Sequence, residues 1–284
     1  MKTPPGLQAL IEDGVIDEVI RSLKSGKEAS VYVVRAGDDI RCAKVYKDMR
    51  QRSFQARAQY QEGRKVRGSR DARAMSKSTN YGRKEQEAAW KNAEVDALYR
   101  LADAGVQVPR PYGYFNGVLV MELVTDEEGR SAPRLGEVEL SPELAREYHA
   151  FMIRQIVRML CAGLIHGDLS EYNVLVAPHG PVIIDLPQAV DAAGNNNALA
   201  MLERDVGNIN ACLGRFAPEL LATGHAREMW ALFENGELQP DSALTGLFAQ
   251  DETPADVEAV MDAINDARAE ALIRQQGREA AEAE

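Results

Sequence analysis

The chain has 284 residues, of which 33 are Lys or Arg and 44 are Asp or Glu, so its formal net charge is −11. Hydrophobic residues make up 45% of the sequence, enough to build the core of one large or two small domains, which excludes disorder as the dominant state. The acidic total argues against a protein that coats nucleic acid or membranes through bulk charge.

One segment opposes this overall charge. Residues 47–84 contain 12 basic and three acidic residues, which leaves 21 basic and 41 acidic residues for the rest of the chain. The segment is rich in Arg, Gln, Ser and Gly and has no hydrophobic period. It is therefore predicted to be a mobile basic loop.

The cysteines and the apolar runs bear on the compartment. Cys42, Cys161 and Cys212 are widely spaced and form no CxxC pair, which favours a reducing cytoplasm over a disulfide-stapled secreted domain. The sequence has neither a signal-peptide pattern nor an apolar run of 18 residues. A cytoplasmic protein with no membrane partner is predicted.

The first 124 residues are predicted to form a β-rich lobe. Helical spacing predicts helices over 7–20 and 84–104, the second of them clearly amphipathic. β-rich runs joined by short Gly, Asn and Asp turns predict two hairpins, with strands at 31–34, 40–46, 112–115 and 117–124.

The second half is predicted to be mostly helical. Residues 125–140 are polar and contain Gly and Pro, so they are predicted to link two lobes. Ser141 and the proline after it are a strong helix start, and the helix is predicted to reach Gly163. A last helix is predicted from Thr253. The fold class is thus α+β, with a small antiparallel-sheet lobe before the linker and a helical lobe over 141–284.

The most informative stretch surrounds a predicted hairpin in the second half, with strands at 173–176 and 181–184. Its tight turn brings Asp185 back beside Asn173, and Asp168 lies five residues before Asn173. Two carboxylates and an amide oxygen therefore converge, a set that suits Mg²⁺ and a phosphate-bearing substrate. Each residue alone more often caps a turn, but together they indicate a phosphotransferase.

Four motifs carry a family resemblance. Ser25 to Tyr32 has the form of a short nucleotide-binding loop, and His166 to Asn173 that of a catalytic loop. Ile184 to Gln188 stands where ordinary kinases have Asp-Phe-Gly, and Ala198 to Asn208 resembles the helix that follows it. Between about residues 15 and 216 the sequence resembles the RIO family of atypical serine/threonine protein kinases, in its Rio-one branch. The resemblance implies a two-lobed protein-kinase-like fold.

The resemblance also implies a reaction and the residues that carry it. Asp168 would orient the attacking nucleophile or accept its proton, and Asn173 and Asp185 would hold Mg²⁺, or alternatively Mn²⁺. RIO proteins are associated with a phosphoaspartyl intermediate, so Asp185 is implied as metal ligand, phosphoryl acceptor or both. His166 is expected to brace the catalytic loop rather than to act as a base.

The implied nucleotide site draws on several elements. Lys44 would contact the ATP phosphates, Glu94 would pair with Lys44, and the backbone of Glu122 and Val124 would meet the adenine edge. The implied nucleotide-binding residues are Ser25, Gly26, Lys27, Glu28, Ser30, Val31, Ala43, Lys44, Glu94, Met121, Glu122, Val124, Leu175 and Ile184.

The basic segment 47–84 has three interpretations. It could fold over the bound nucleotide, with Ser69, Ser76, Ser78 or Thr79 as autophosphorylation sites. It could instead bind RNA or a ribosomal particle through its Lys and Arg side chains, or remain a solvated loop without a partner.

Three functions stay open at this point. The leading one is an ATP- and Mg²⁺-dependent RIO-type kinase, acting on a protein or on itself, or an ATPase. The second is a small-molecule phosphotransferase of the aminoglycoside or choline kinase type, against which Ser25 to Tyr32 and the pair Pro187 and Gln188 speak. The third is a nucleotide-gated module that binds RNA or ribosomes and turns ATP over slowly.

Overall fold

The computed structural model describes residues 3–26, 29–47 and 93–248, all within one compact unit. The predicted basic loop 47–84, except for Lys47, lies outside the described residues. So does the helix predicted from Thr253.

The N-terminal part is a five-stranded antiparallel sheet with strand order β1-β2-β3-β5-β4. Both predicted hairpins are confirmed, β2 with β3 and β4 with β5. The second hairpin turns at Asn116 and Gly117, whose φ angles of 49° and 83° fit a tight turn between twisted strands. The strands are β1 Glu18–Ser25, β2 Ala29–Ala36, β3 Asp39–Tyr46, β4 Pro111–Phe115 and β5 Val118–Glu122.

The predicted helix over 7–20 is wrong in its second half. Helix α1 covers Pro5–Glu12 and ends at Asp13 and Gly14, where a φ of 69° at the glycine breaks the helical path. The chain then enters β1, an edge strand that the sequence did not predict. Two bulges interrupt the pairing of β1 with β2, so its side chains do not alternate regularly, and that hid the strand.

The two faces of the sheet pack against different helices. Leu7 and Leu10 of α1 form an outer cluster with Val34, Ala43 and Val120 from the sheet. The inner face contributes to the main core, together with helix α2. The described part of α2 is residues 93–103, in agreement with the predicted helix over 84–104, whose first residues lie outside the described ranges.

The C-terminal part is mostly helical, as predicted. Ser141 caps helix α3 by accepting a hydrogen bond from the Leu144 amide at 3.2 Å, which confirms the predicted helix start. Short 3₁₀ turns lie at Leu135–Glu137 and Pro218–Ala222. The α-helices are α3 Pro142–Cys161, α4 Ala198–Leu213 and α5 His225–Glu234.

Two small two-stranded sheets complete this part. The predicted hairpin is confirmed as β7 Val174–Ala177 paired with β8 Gly180–Ile183. Strand β6 Leu164–Ile165 pairs with β9 Val190–Asp191, a pairing not predicted because two residues are too few to show a period. These strands hold the loops on either side of the hairpin.

The predicted linker is ordered and packed rather than loose. Thr125 bridges to Ser131, Leu135 is fully buried, and the Gly136 amide donates to the Glu171 carbonyl. A boundary between lobes here stays a prediction. In the described ranges, none of the helices has the length and apolar character needed to cross a bilayer.

Buried His149 of α3 packs against half-buried His225 at the start of α5. The rings of His149 and His225 lie 5.3 Å apart, and Nε2 of His149 is 2.8 Å from Oδ1 of Asn210. Nδ1 of His225 is buried without a hydrogen-bond partner among the described residues. Burial lowers the pKa of His149 below its usual value; burial and the neighbouring His149 do the same for His225, against the opposing charge of Glu228.

This pair predicts a loss of stability in mild acid. Because both pKa values are lowered by folding, the unfolded chain binds protons more readily, and the stabilisation is present above about pH 6.5 and lost as the pH falls below it. We expect the free energy of unfolding, measured with urea, to fall between pH 7.5 and 5.5. His225→Phe should reduce that fall. An equal fall in the variant would contradict the prediction.

Candidate active site

A cleft lies between the inner face of the sheet and the β7–β8 hairpin. Nine residues line it: Lys44, Glu94, Leu98, Pro109, Leu119, Met121, Ile184, Asp185 and Leu186. Four of the nine, Lys44, Glu94, Met121 and Ile184, were named as nucleotide-binding residues, and Asp185 was named as a metal ligand. The structure thus brings together Lys44 and Asp185, which lie 141 positions apart in the chain.

The centre of the cleft is the Lys44 ammonium. Its Nζ lies 2.5 Å from Oε1 of Glu94 and 2.9 Å from Oδ1 of Asp185. The side chains of Lys44 and Glu94 are 11% and 5% exposed, whereas that of Asp185 is half exposed. The ion pair expected between strand and helix is therefore formed, and the same lysine also holds the candidate metal ligand.

Charge pairing outweighs burial for Lys44 and Asp185, whereas burial raises the pKa of Glu94 above its usual value in spite of Lys44. Burial disfavours the charged form of Lys44, but the carboxylates of Glu94 and Asp185 raise its pKa above the usual value. Burial would also raise the pKa of Asp185, yet Lys44, with smaller contributions from His166 and Lys24, holds it below the usual range. Lysine and aspartate are both charged in the structure.

Asp185 has a left-handed backbone, with a φ of 67°. Among the described residues other than glycine, Asn116 alone shares a positive φ. The carboxylate held by Lys44 lies on this residue, at the point where the chain leaves β8 and turns along the cleft. This backbone conformation is sterically unfavourable for an aspartate, and it places the carboxylate beside Lys44.

This conformation predicts an unusual order of stability. Asp185→Gly and Asp185→Ala both remove the carboxylate, but glycine alone accepts this φ without steric cost. We expect the Gly variant to exceed the Ala variant in unfolding free energy by about 1 kcal/mol, measured with urea. The same two substitutions at exposed Asp38, which has no positive φ, should not favour glycine. Equal ordering at both positions would contradict the prediction.

The catalytic loop is tied to the hairpin as the sequence predicted. The Ile184 amide donates to the Asn173 carbonyl at 2.9 Å, which sets Asp185 beside Asn173. Nδ2 of Asn173 donates to the Asp168 carbonyl at 2.9 Å, so the amide group is oriented by its nitrogen rather than by its oxygen. Burial raises the pKa of Asp168, partly offset by His166, as suits a group that takes up a proton.

His166 has the bracing geometry that was expected of it. Its Nε2 lies 3.0 Å from the Ile184 carbonyl oxygen, and its Nδ1 lies 3.3 Å from the Asp168 amide nitrogen. If Nδ1 accepts from that amide, Nε2 carries the proton and donates to the carbonyl. Both ring nitrogens are thus engaged with backbone, which leaves no nitrogen for catalysis.

Helix α4 holds the loop through residues that were not predicted from the sequence. Asp205, which is buried, accepts from the amides of Gly167 at 2.7 Å and Leu169 at 2.9 Å. The carbonyls of the same two residues accept from Arg204 and from Asn208. Both backbone groups on each side of Asp168 are therefore bound by one helix turn. The sequence pattern that could have revealed Asp205 is a carboxylate at an inward position of an otherwise apolar helix face, because a buried carboxylate needs hydrogen-bond donors.

The described part of the phosphate-loop candidate is braced by side chains. Oγ of Ser25 lies 3.1 Å from Oγ of Ser30, and Lys47, which was not predicted as a site residue, donates to Ser25 Oγ at 2.9 Å and to the Gly26 carbonyl at 2.7 Å. The Gly26 amide donates to the Ala29 carbonyl. Lys27 and Glu28 were predicted here and lie outside the described residues.

The expected hinge residues Glu122 and Val124 lie at the end of β5 and two residues beyond it. The Val124 carbonyl accepts from Ala132, and no backbone partner is found for the Val124 amide in the described ranges, so this N–H is the group left to meet a base. The Glu122 amide already donates to the Arg110 carbonyl. Leu175 packs in the small apolar cluster that contains Val124.

The side chains of β2 and β3 divide between two faces. Val31 is paired with Lys44, so both face the cleft. Ala43 lies in the outer cluster with α1, on the opposite face, because successive side chains of a strand alternate. Of the predicted nucleotide-binding residues, Ala43 is thus one whose side chain the structure does not bring to the cleft.

The donor set fits Mg²⁺. Asn173 and Asp185 offer an amide oxygen and a carboxylate, and Mg²⁺ is commonly held by one or two such groups together with substrate phosphates. In the ranges that the structure covers, no group of three or more His, Cys, Asp or Glu residues could hold a metal. Mg²⁺ held by these two residues would complete its coordination with phosphate oxygens and water.

Comparisons with known proteins show the family of this chain. The family model described as the RIO domain matches residues 30–225. A RIO-type serine/threonine-protein kinase Rio1 from Haloferax volcanii is 38% identical over 203 residues, which cover 70% of this chain and 64% of the relative. The human serine/threonine-protein kinase RIO1 is 32% identical over 203 residues, covering 71% of this chain and 34% of the relative. The chain spans about one-third to two-thirds of these relatives.

The fold has a solved counterpart. A crystal structure of the Rio2 kinase–ADP/Mg²⁺–phosphoaspartate complex from Chaetomium thermophilum is similar with a TM-score of 0.52 and 23% identity, covering 74% of this chain and 59% of that one. At this identity the likeness shows the fold alone. The predicted two-lobed kinase-like architecture is therefore confirmed.

Proposed function

We propose that this chain, which belongs to the RIO family, uses ATP and Mg²⁺ to transfer a phosphoryl group, as a serine/threonine kinase, an ATPase or both. The observation that carries the proposal is the bridge from Lys44 to Glu94 and Asp185. Assembly of this ion pair with the metal-binding aspartate is the state that kinases need for catalysis. Relatives named as serine/threonine kinases support the same reaction.

Each residue has a role that follows from its position. Lys44 would bind the phosphates while Glu94 keeps its amine in place. Asp168 would accept the proton of the attacking hydroxyl or water, from a loop that α4 holds on both sides. Asn173 and Asp185 would hold Mg²⁺, which neutralises charge that develops on the transferred phosphoryl group. Positioning and charge supply most of the catalysis.

Asp168→Asn should separate chemistry from binding. The amide keeps the size of the side chain but cannot take up a proton, so we expect kcat for ADP formation from ATP to fall about 100-fold or more. KM for ATP should change little, because the carboxylate is not expected to contact the nucleotide. A coupled ADP-release assay measures both values.

The control for this variant is Asp38→Asn, an equal change at an exposed turn between β2 and β3. It should leave kcat unchanged. If Asp168→Asn turned over ATP at the wild-type rate, the proposed role of Asp168 would be refuted. If Asp168→Asn and Asp185→Asn both turned over ATP at the wild-type rate, the proposed function would be refuted.

Asp185 is also proposed as a phosphoryl acceptor. In this step a carboxylate oxygen attacks the γ-phosphorus of ATP, a new O–P bond forms, and ADP leaves with the electrons of the broken bond. The Rio2 kinase from Chaetomium thermophilum was solved as a phosphoaspartate complex, which supports the same chemistry here. The half-exposed carboxylate of Asp185 is open to the cleft.

Single turnover with γ-labelled ATP tests this acceptor. We expect protein-bound label that hydroxylamine removes, since acyl phosphates react with it and phosphoserine or phosphothreonine does not. Asp185→Asn should carry none of this label. Label that resists hydroxylamine would instead assign the acceptor to a hydroxyl group, and label found as free phosphate alone would leave hydrolysis as the reaction.

Two other functions were considered from the sequence: a small-molecule phosphotransferase and a module that binds RNA or ribosomes. A small-molecule phosphotransferase gains no support from the family model or from the relatives described above, which are RIO proteins. Binding to RNA or a ribosomal particle stays a prediction that rests on the basic segment 47–84, outside the described residues.

A further inference from the structure

We propose that Lys24 is a second phosphate-binding lysine, which contacts the terminal phosphate of ATP. The proposal rests on the proposed function, because it adds a residue of β1 to the same nucleotide cleft. Neither the sequence motifs nor the resemblance assigned a role to this position. Strand register, the partners of the two lysines and the surroundings of Asp185 support the assignment.

Strand register places Lys24 on the cleft face of the sheet. Lys24 is paired with Val31, and Val31 is paired with Lys44 on the next strand. Directly paired residues of antiparallel strands project to the same side, so all three face the cleft. Two strand spacings separate the lysines at the backbone, about 10 Å, which leaves room for a phosphate group between their side chains.

The two bulges of β1 create this arrangement. They leave Ile20 and Leu23 without a partner on β2 and shift the register by one residue each time. Across the second bulge, Ser22 pairs with Tyr32, which packs against the outer cluster, whereas Lys24 pairs with Val31 on the other face. An unbulged strand would keep positions 22 and 24 on one face. The irregular pairing therefore turns the lysine toward the cleft.

The two lysines differ in what they already bind. Lys44 is buried and committed to Glu94 and Asp185, so much of its charge is compensated before a ligand arrives. Lys24 is exposed, and its ammonium has no hydrogen bond or ion pair within 3–26, 29–47 and 93–248. Lys47 is close by in space but is committed to Ser25 and Gly26. Among the described residues, Lys24 is thus the cation of the paired row Lys24, Val31 and Lys44 that is available to bind a ligand.

Lys24 also acts on the expected metal ligand. Its charge is among those that lower the pKa of Asp185, so the two side chains lie within electrostatic reach. Metal ions in kinases bridge the β- and γ-phosphates, so the phosphates beside Asp185 are the terminal ones. Lys24 thus shares the cleft face of the sheet with Lys44, two strands away, and is placed to meet the terminal phosphate.

The test compares nucleotides that differ by one phosphate. With the full chain and Mg²⁺, isothermal titration should show that Lys24→Gln binds the non-hydrolysable ATP analogue AMP-PNP about 10-fold more weakly than the wild type, the effect of one charged hydrogen bond. Binding of ADP should be unchanged. Lys24→Arg should keep most of the affinity for AMP-PNP, because it retains the positive charge.

Arg35→Gln is the matched control, since it removes the same charge from the same hairpin at an exposed site where Arg35 pairs with Glu18. It should leave both affinities unchanged. Unchanged binding of AMP-PNP by Lys24→Gln, or equal losses for AMP-PNP and ADP, would overturn the assignment of the terminal phosphate. A wild-type chain that binds neither nucleotide would instead refute the proposed function itself.

Discussion

The buried ion pair between Lys44 and Glu94 is the interaction on which the rest of the cleft depends. A charged amine at 11% exposure is stable only with a partner close by, and here two carboxylates surround it. One of them belongs to α2 and the other to the segment that follows β8. A single ammonium therefore joins three elements from distant parts of the chain, and loss of Lys44 would leave the buried carboxylate of Glu94 without its counter-ion.

The predicted catalytic loop, residues 166–173, is held in a different way. Besides the contacts of His166 and Asn173, it is bound by α4, where Asp205 binds two backbone amides and Asn208 binds a carbonyl. Buried peptide groups must be paired, so the helix and the loop can hardly move separately. The residues on either side of Asp168 are held by these hydrogen bonds, whereas the side chain of Asp168 is exposed.

Local patterns predicted much of this site. A short hairpin is enough to infer that Asp185 returns beside Asn173, because strand length and turn fix the return point. The cap at Ser141 and the two hairpins of the large sheet follow from turn and cap chemistry in the same way. Such features depend on residues within about one turn or one hairpin of each other, so the local sequence is enough to predict their geometry.

The failures depend on contacts between distant residues. β1 was not predicted, and its first three residues were included in the helix predicted over 7–20, because its bulges break the alternation and its register is set by β2 rather than by its own sequence. Ala43 was named with its neighbour Lys44 although alternate strand residues face opposite ways. Asp205 went unnoticed because its partners lie 36 and 38 positions away. In each case the missing information was which element packs opposite.

The bulges of β1 have a second consequence, for self-association. Within the part of the chain that the structure describes, β1 lies at the edge of the sheet, with β2 on one side and no strand paired on the other. Regular, flat edges invite another chain to extend the sheet, and natural proteins prevent this with bulges and with charged side chains. β1 has both devices, two bulges and the basic residues Arg21 and Lys24. The irregularity that turns a lysine toward the cleft thus also protects this edge from polymerisation.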